Sequence, residues 1–95
     1  MTPGALDGLL VADFSRVLAG PLCTMTLGDL GADVIKVERP DGGDDTRAWG
    51  PPWREGAATY NLGLNRSKRS VALDLGDAGD RELARRLALR ADVLV

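Results

Sequence analysis

The sequence predicts an α/β fold built on a parallel sheet, and three observations support this class. Short apolar runs with strand composition recur along the chain. One helical stretch separates the first run from the second, and another separates the third from the fourth. Strand–helix–strand units of this kind place their strands parallel, with a right-handed crossover. The predicted order is therefore β-α-β, a long loop, and β-α-β, with strands at residues 8–15, 33–38, 69–75 and 92–95.

The first predicted helix follows the first strand and covers residues 19–31, AGPLCTMTLGDLG. Pro21 suits its first turn, where a backbone N–H has no helical partner. Gly31 suits the position just past its end, where φ is commonly positive. We expect the apolar face of this helix to include Leu22, Met25 and Leu30.

A long irregular segment, residues 39–59, follows the second strand and is rich in Gly, Pro and Asp. At about 20 residues it exceeds the usual connection in a compact domain, which indicates either function or disorder. Trp49 and Trp53 argue against disorder, because rings of that size seek burial. The aspartates of this segment do not have the spacing of a calcium loop, so we predict Asx-type turns and no metal site. These aspartates are Asp41, Asp44 and Asp45.

The second predicted helix covers residues 77–91, between the third and fourth strands. Asp77 or Asp80 would cap its N-terminus. Leu83 and Leu87 would lie on one face, with arginines on the other.

Ninety-five residues with 44% hydrophobic content make at most one small domain. The chain is still apolar and strand-like at Val95, whereas domains more often end in polar, loosely held residues. We therefore expect residues 1–95 to be the incomplete N-terminal part of a larger domain.

Composition excludes several classes of protein. The net charge of -2 argues against nucleic-acid binding, which needs a strongly basic face. No apolar run approaches the roughly 20 residues that span a bilayer, and the N-terminus lacks the features of a signal peptide. The single cysteine, Cys23, fits a reducing cytoplasm. With no histidine in the chain to activate it, we expect Cys23 to be buried and structural rather than nucleophilic.

In open α/β sheets, ligands lie beyond the carboxyl ends of the strands. Three segments should meet there: SRVLAGP at 15–21, RPDGGDDTR at 39–47 and DLGDAG at 74–79. None matches a dinucleotide fingerprint or a P-loop, and each alone also fits an ordinary turn. Arg39 offers donors suited to phosphate, but an isolated strand-end arginine is usually solvated. The basic stretch NRSKRS at 65–70 could steer an anion, although we expect a solvated face.

The combination of motifs is more specific than any one of them. LAGP, LGADVIKVE, GDDTR and NRSKRSVALDL occur together and in this order. In that arrangement the chain resembles the N-terminal part of class III CoA-transferases. This CaiB/BaiF family includes formyl-CoA transferase, carnitine CoA-transferase and α-methylacyl-CoA racemase. The resemblance covers residues 6–95 and implies a Rossmann-like large domain in a longer polypeptide, which forms an interlocked homodimer.

The resemblance also implies where coenzyme A touches this segment. Arg39 would lie near the ADP phosphates, and Trp49 would lie towards the acyl pocket. Gly76 stands where relatives often carry lysine, so a cationic contact is either absent or supplied elsewhere. Leu18 replaces a glutamine of formyl-CoA transferase, which counts against that substrate. The remaining implied contacts of the nucleotide are Val17, Leu18, Ala19, Leu73, Asp74, Leu75 and Gly76.

Family members transfer CoA from an acyl-CoA donor to a carboxylic acid through a covalent aspartyl intermediate. The resemblance places that aspartate beyond Val95, and Asp13, Asp29 and Asp33 do not align with it. The chain is therefore expected to hold part of a site for CoA as a substrate, with no permanently bound cofactor and no catalytic nucleophile. Two alternatives stay open: an acyl-CoA racemase of the same family, and a non-catalytic CoA-binding fragment.

Overall fold

The computed structural model describes residues 4–95, which contain three α-helices, one 3-10 helix and six short strands. In chain order these elements are β1 (Leu10–Asp13), α1 (Ala19–Asp29), β2 (Asp33–Glu38), the 3-10 helix (Asp45–Ala48), β3 (Trp53–Arg54), β4 (Ala57–Ala58), α2 (Thr59–Leu64), β5 (Lys68–Ala72), α3 (Ala78–Arg90) and β6 (Val93–Leu94).

The main sheet has the strand order β5-β2-β1-β6, and all of its pairings are parallel. Val34 of β2 pairs with Val11 of β1 on one side and with Lys68 of β5 on the other. Helix α1 connects β1 to β2, and α3 connects β5 to β6. The predicted α/β class with two β-α-β units is confirmed.

Helices α1 and α3 cover opposite faces of this sheet. Leu27 of α1 packs against Val11 and Val34, whereas Ala84 of α3 packs against Val37 and Leu73. Val34 and Val37 are three residues apart on one strand, so alternation places their side chains on opposite faces. The core therefore consists of two thin apolar layers.

The segment predicted to be irregular, residues 39–59, is more ordered than the sequence indicated. It contains the 3-10 helix and a small antiparallel hairpin of β3 and β4. Elements of two to four residues are too short to show an apolar period. Trp49 and Trp53 are 45% and 52% exposed, so their predicted burial is wrong. The rings of Trp49 and Tyr60 do meet edge to face, with centroids 5.3 Å apart.

The buried face of α1 also differs from the prediction. Its buried residues are Pro21, Thr24 and Met25, whereas Leu22 and Leu30 are both 45% exposed. Thr24 is buried because its hydroxyl donates to Asp13 Oδ2 over 2.6 Å. An inner face that contains a polar residue cannot be located from the spacing of leucines. Cys23, predicted to be buried, is exposed.

The ends of the helices follow the sequence signals more closely. Gly31 has the predicted positive φ, at 108°. Asp77 is the N-cap of α3, where its carboxylate accepts a hydrogen bond of 2.9 Å from the Asp80 backbone N–H. Leu87 packs against the core as predicted, but Leu83 is 52% exposed, because Ala84 takes the inner position.

A layer of buried charge lies on the α1 face of the sheet. Lys36 Nζ is 2.8 Å from Asp44 Oδ2, and Lys68 Nζ is 3.3 Å from Asp13 Oδ2. All four side chains are at most 2% exposed. The predicted solvated face at 65–70 is therefore wrong for Lys68, although its neighbours Arg66 and Arg69 are exposed. Burial of these charges is tolerable only because each has an opposite charge beside it.

Within residues 4–95, no helix is both long enough and apolar enough to cross a membrane.

We expect Lys68→Met to lower the free energy of unfolding by about 3 kcal/mol, because Asp13 would stay buried without its cation. Urea unfolding followed by circular dichroism measures this loss. The control is Arg69→Met, which removes an exposed pair with Asp33 and should change stability by less than about 1 kcal/mol. Equal losses in the two variants would contradict a special role for the buried pair.

Candidate functional site

The carboxyl ends of β1, β2 and β5 meet around a crevice of about 220 Å³. Each of these strands supplies part of the lining, through the residues at its end and just beyond it. The expectation that these strand tips converge is therefore confirmed. The lining includes Ser15 and Arg16 after β1, Glu38, Arg39 and Asp44 at and beyond the end of β2, and Leu73 and Leu75 after β5.

Arg39 lies at the mouth of this crevice and is held by its own loop. Its Nε donates to the Asp41 carbonyl over 2.8 Å, and its Nη2 is 2.8 Å from Asp45 Oδ1. The side chain is 55% exposed, so part of the guanidinium faces solvent. These contacts fix the position of the cation and leave N–H donors for an anion in the crevice.

The loop after β2 turns back sharply at Gly43, where φ is 66°. A Cβ at this position would lie 2.8 Å from Glu38 Oε1 and 2.9 Å from the Arg47 side chain. Glycine therefore allows Arg47 to reach Glu38, whose carboxylate accepts hydrogen bonds of 2.7 and 2.8 Å from Arg47 Nε and Nη2. Glu38 of this ion pair lines the crevice, and Arg47 lies outside the lining.

The turn between β1 and α1 is tied to the same loop by Asp44. Val17 has a φ of 74°, a conformation that costs a β-branched residue about 1 kcal/mol or more. Its backbone N–H lies 3.3 Å from both carboxylate oxygens of Asp44. Asp44 is in turn paired with Lys36. The strained turn is thus supported by a fixed buried charge.

Of the predicted nucleotide contacts, some line the crevice and others lie in the adjoining turns. Arg39, Leu73 and Leu75 line the crevice. Contact of any of them with a nucleotide stays a prediction. The predicted nucleotide contacts that lie outside the lining of the crevice are Val17, Leu18, Ala19, Asp74 and Gly76.

The turn after β5 is held by carboxylates. Gly76 N–H donates to Asp74 Oδ1 over 2.9 Å, and Asp74 N–H donates to Asp80 Oδ2 over 2.9 Å. The Arg81 side chain reaches this turn, where its Nη1 is 3.4 Å from the Leu75 carbonyl.

Trp49 is not part of the crevice lining. It lies beyond the 3-10 helix, against Tyr60. Its predicted role near an acyl group therefore stays a prediction. Among the described residues, no group of three or more histidine, cysteine or acidic side chains is arranged to hold a metal ion.

The buried carboxylates of the crevice are strongly acidic. Burial alone would raise the pKa of Asp44, but hydrogen bonds from Lys36 and Thr46 outweigh it and lower the pKa to about 2. The hydrogen bonds from Arg47 outweigh burial at Glu38 and, with Ser70, lower its pKa to about 2. Both groups are therefore ionised at neutral pH.

Sequence reasoning missed Lys36 and Asp44 as organisers of the site. A usable signal was present at Lys36, because a charged residue in an otherwise apolar strand needs a buried partner. The identity of that partner was not readable, since Asp41, Asp44 and Asp45 are all near the strand end. Asp44 is the partner of Lys36 because, as the N-cap of the 3-10 helix, it is held in place by a hydrogen bond of 3.0 Å that its carboxylate accepts from the Thr46 N–H.

A parallel α/β sheet with a crevice at its strand tips has the arrangement in which open α/β proteins bind their ligands. The family model described as CoA-transferase family III matches residues 6–95. The chain belongs to that family.

Individual relatives agree with this assignment. Succinyl-CoA:glutarate CoA-transferase of Homo sapiens is 52% identical over 90 residues, which cover 95% of this chain and 20% of that protein. Succinyl-CoA:mesaconate CoA-transferase of Haloarcula hispanica is 54% identical over 97 residues, which cover 97% of this chain and 24% of that protein. This chain therefore spans about a fifth to a quarter of the length of these relatives.

Solved structures are similar as well. The crystal structure of a CAIB/BAIF family protein from Brucella suis matches with a TM-score of 0.92 and 52% identity, and covers 98% of this chain and 25% of that one. The crystal structure of Rv3272 from Mycobacterium tuberculosis matches with a TM-score of 0.84 and 44% identity, and covers 96% and 24%.

The low pKa values of Asp44 and Glu38 predict how stability depends on pH. Because both values lie below the ordinary range, the folded state binds fewer protons than the unfolded state as the solution becomes acidic. Their contribution is complete above about pH 4.5 and is lost as the pH falls towards about 2. We expect the urea midpoint to decrease over this interval.

The Glu38→Gln variant tests the cause of this pH dependence. It should be about 2 kcal/mol less stable than the parent at pH 7, and this difference should shrink as the pH approaches 2. Glu55→Gln, which changes an exposed carboxylate between β3 and β4, is the control and should follow the parent at every pH. A stability gap for Glu38→Gln that is constant with pH would refute the assignment.

Proposed function

We propose that this segment forms the nucleotide-binding part of a CoA-transferase that moves CoA from an acyl-CoA donor to a carboxylic acid. The single observation that carries the proposal is the crevice at the tips of β1, β2 and β5, with Arg39 at its mouth, in a chain of this family. Relatives named as acting on glutarate, mesaconate and oxalate support the class of acceptor. CoA enters as a substrate and not as a resident cofactor.

The exposed edge of the Arg39 guanidinium is the group best suited to the CoA phosphates. Its other contacts already hold it in place, so phosphate binding requires little further ordering of the side chain. Leu73 and Leu75 offer apolar surface beside it for the adenosine, with Asp74 and Gly76 in the same turn. The backbone of Val17, Leu18 and Ala19 completes the site from the other side, and Arg81 replaces the cation that Gly76 lacks.

The covalent step uses an aspartate outside residues 1–95. Glu38 and Asp44 are the carboxylates in the lining of the crevice, and both are engaged by Arg47 and Lys36. Carboxylates with a pKa of about 2 and two or more hydrogen bonds are weak nucleophiles. A free aspartate carboxylate from a longer polypeptide would attack the thioester carbonyl, break its C–S bond and release CoA thiolate, which gives a mixed anhydride with the acyl group on the side of Trp49.

The complete protein is proposed to be cytoplasmic and to form an intertwined homodimer. β5 and β6 are the two edges of the main sheet, and the outer strand β5 is mostly exposed. Exposed edges of this kind are normally covered by further strands or by another chain.

Activity of the complete reading frame tests the reaction class. Incubation with succinyl-CoA and glutarate should yield glutaryl-CoA and succinate, detected by liquid chromatography. A chiral 2-methylacyl-CoA in deuterated water, without an acid acceptor, should not gain deuterium at the α-carbon. Deuterium incorporation without CoA transfer would instead identify a racemase. The absence of both CoA transfer and deuterium incorporation would indicate a non-catalytic binding protein.

Binding of CoA tests the nucleotide site separately. We expect Arg39→Gln to weaken CoA binding by about tenfold, as for loss of a charged hydrogen bond to phosphate. Isothermal titration of the complete protein measures the dissociation constant. Arg54→Gln, on the exposed hairpin strand β3, is the control. If both substitutions weakened CoA binding equally, or if neither changed it, Arg39 would not be a phosphate-binding residue.

A further inference from the structure

The turn between β1 and α1, which we call the β1–α1 turn, is held by three buried charged side chains. Ser15 N–H donates to Asp13 Oδ1 over 2.9 Å, and the Ser15 carbonyl accepts from Lys36 Nζ over 3.2 Å. Val17 N–H lies 3.3 Å from both carboxylate oxygens of Asp44. The three charged side chains are at most 2% exposed. The backbone of the turn is therefore bound by groups that are themselves fixed in the interior.

The ion pair of Lys36 and Asp44 contacts the β1–α1 turn at two points. The ammonium binds the Ser15 carbonyl and the carboxylate binds the Val17 N–H, while the two charges are 2.8 Å apart. Hydrogen bonds to charged partners are stronger than those between neutral groups. Arg16 lies between the two contacts, so the pair fixes the direction of the chain on both sides of it.

Val17 is held in a conformation that its side chain disfavours. Its φ is 74°, and a positive φ is a genuine outlier for a β-branched residue. Among residues 4–95, the other non-glycine residues with a positive φ are Glu55 and Ser67, which are not β-branched. Strain of this kind persists only where the surroundings enforce it, and it is concentrated at ligand sites. A turn that only joined a strand to a helix would not need it.

The β1–α1 turn forms part of the wall of the crevice at the strand tips. Ser15 and Arg16 line the crevice, together with Lys36 and Asp44. Gly20, in the first turn of α1, packs closely against the same backbone, because a Cβ at this position would overlap the Ser15 side chain. The turn is therefore held from its helix side as well, and the shape of the wall is set before a ligand enters.

From these contacts we infer that Lys36 and Asp44 are positioning residues for the nucleotide of CoA. They bind the backbone of the β1–α1 turn and hold Val17 at a positive φ, so that Ser15 and Arg16 stand where the ligand meets them. The inference rests on the proposed function, since it takes the nucleotide as the ligand of the crevice. A wall that is fixed in advance lowers the ordering cost of binding.

A thermodynamic cycle tests this role in the complete protein. Asp44→Asn should weaken CoA binding by about tenfold, which corresponds to one strained backbone conformation. In the Val17→Gly background, the same substitution should weaken binding by no more than about threefold, because glycine adopts a positive φ without the ion pair. Isothermal titration measures the dissociation constants, at a temperature where circular dichroism shows each variant to be folded. The same factor in both backgrounds would overturn the inference.

Leu27→Ala is the matched control for loss of stability. Leu27 packs against Val11 and Val34 near the opposite end of α1, so its truncation destabilises the core away from the β1–α1 turn. We expect its dissociation constant for CoA to stay within about twofold of the parent value. Weakening equal to that of Asp44→Asn would identify general instability as the cause and would also overturn the inference.

A second pair of variants leaves the buried charges in place. Val17→Gly and Val17→Pro both remove the valine side chain, but proline fixes φ at about −65° and has no N–H to donate to Asp44. We expect Val17→Pro to bind CoA at least about tenfold more weakly than Val17→Gly. Equal binding by the two variants would refute the positioning role, even if Asp44→Asn failed to fold.

The parent protein separates this inference from the proposed function. If the parent did not bind CoA, the proposed function would be wrong and the positioning role with it. If the parent bound CoA and the cycle showed no coupling between Val17 and Asp44, only the positioning role would be wrong.

Discussion

The ion pair between Lys36 and Asp44 is the constraint on which the candidate site depends. Both side chains are almost fully buried, so each charge must be compensated where it lies. Asp44 also accepts from the N–H groups of Val17 and Thr46, while its own N–H donates to Glu38 over 2.9 Å. One carboxylate therefore joins the end of β2, the turn after β1 and the 3-10 helix. Further contacts join the same segments, from Lys36 to the Ser15 carbonyl and from Arg47 to Glu38.

The second buried pair extends this constraint across the sheet. Lys68 Nζ reaches Asp13, the Pro21 carbonyl and Asn65 Oδ1, so β5, β1, α1 and the end of α2 are tied to one ammonium. A one-residue slip of β5 would turn Lys68 to the other face and expose the charge of Asp13 to an apolar environment. Buried ion pairs add little net stability. The pair of Lys68 and Asp13 instead makes other registers of the edge strand β5 less stable than the observed one.

Three arginine side chains near the ends of the strands are held in the same way. Arg39, Arg47 and Arg66 are each fixed along one edge of the guanidinium by the protein. The opposite edge stays available, already oriented for an oxyanion. Such preorganisation lowers the ordering cost of binding.

Local elements were predictable because their signals lie within a few residues. The cap at Asp77, the turn at Gly31 and the strand at residues 33–38 depend on neighbours in sequence. The hairpin and the 3-10 helix were not predictable, because two to four residues show no period. The convergence of the strand tips was predicted from topology. Arg39 lies in the lining of the crevice, while its contact with a nucleotide, like that of Val17, was inferred through resemblance and stays a prediction.

By itself, the sequence determined the order of the four strands of the main sheet and of the helices α1 and α3, their parallel arrangement and the edge at which a ligand would meet the sheet, whereas α2, the hairpin and the 3-10 helix were not predicted. Only the tertiary structure decided which charges pair, which face of α1 is buried and where Trp49, Trp53 and Cys23 lie. The reason is physical: periodicity records how a segment contacts its own neighbours. The partner of a buried charge depends on which distant segments the fold brings together. Asp13 and Lys68, for example, are 55 residues apart in the sequence.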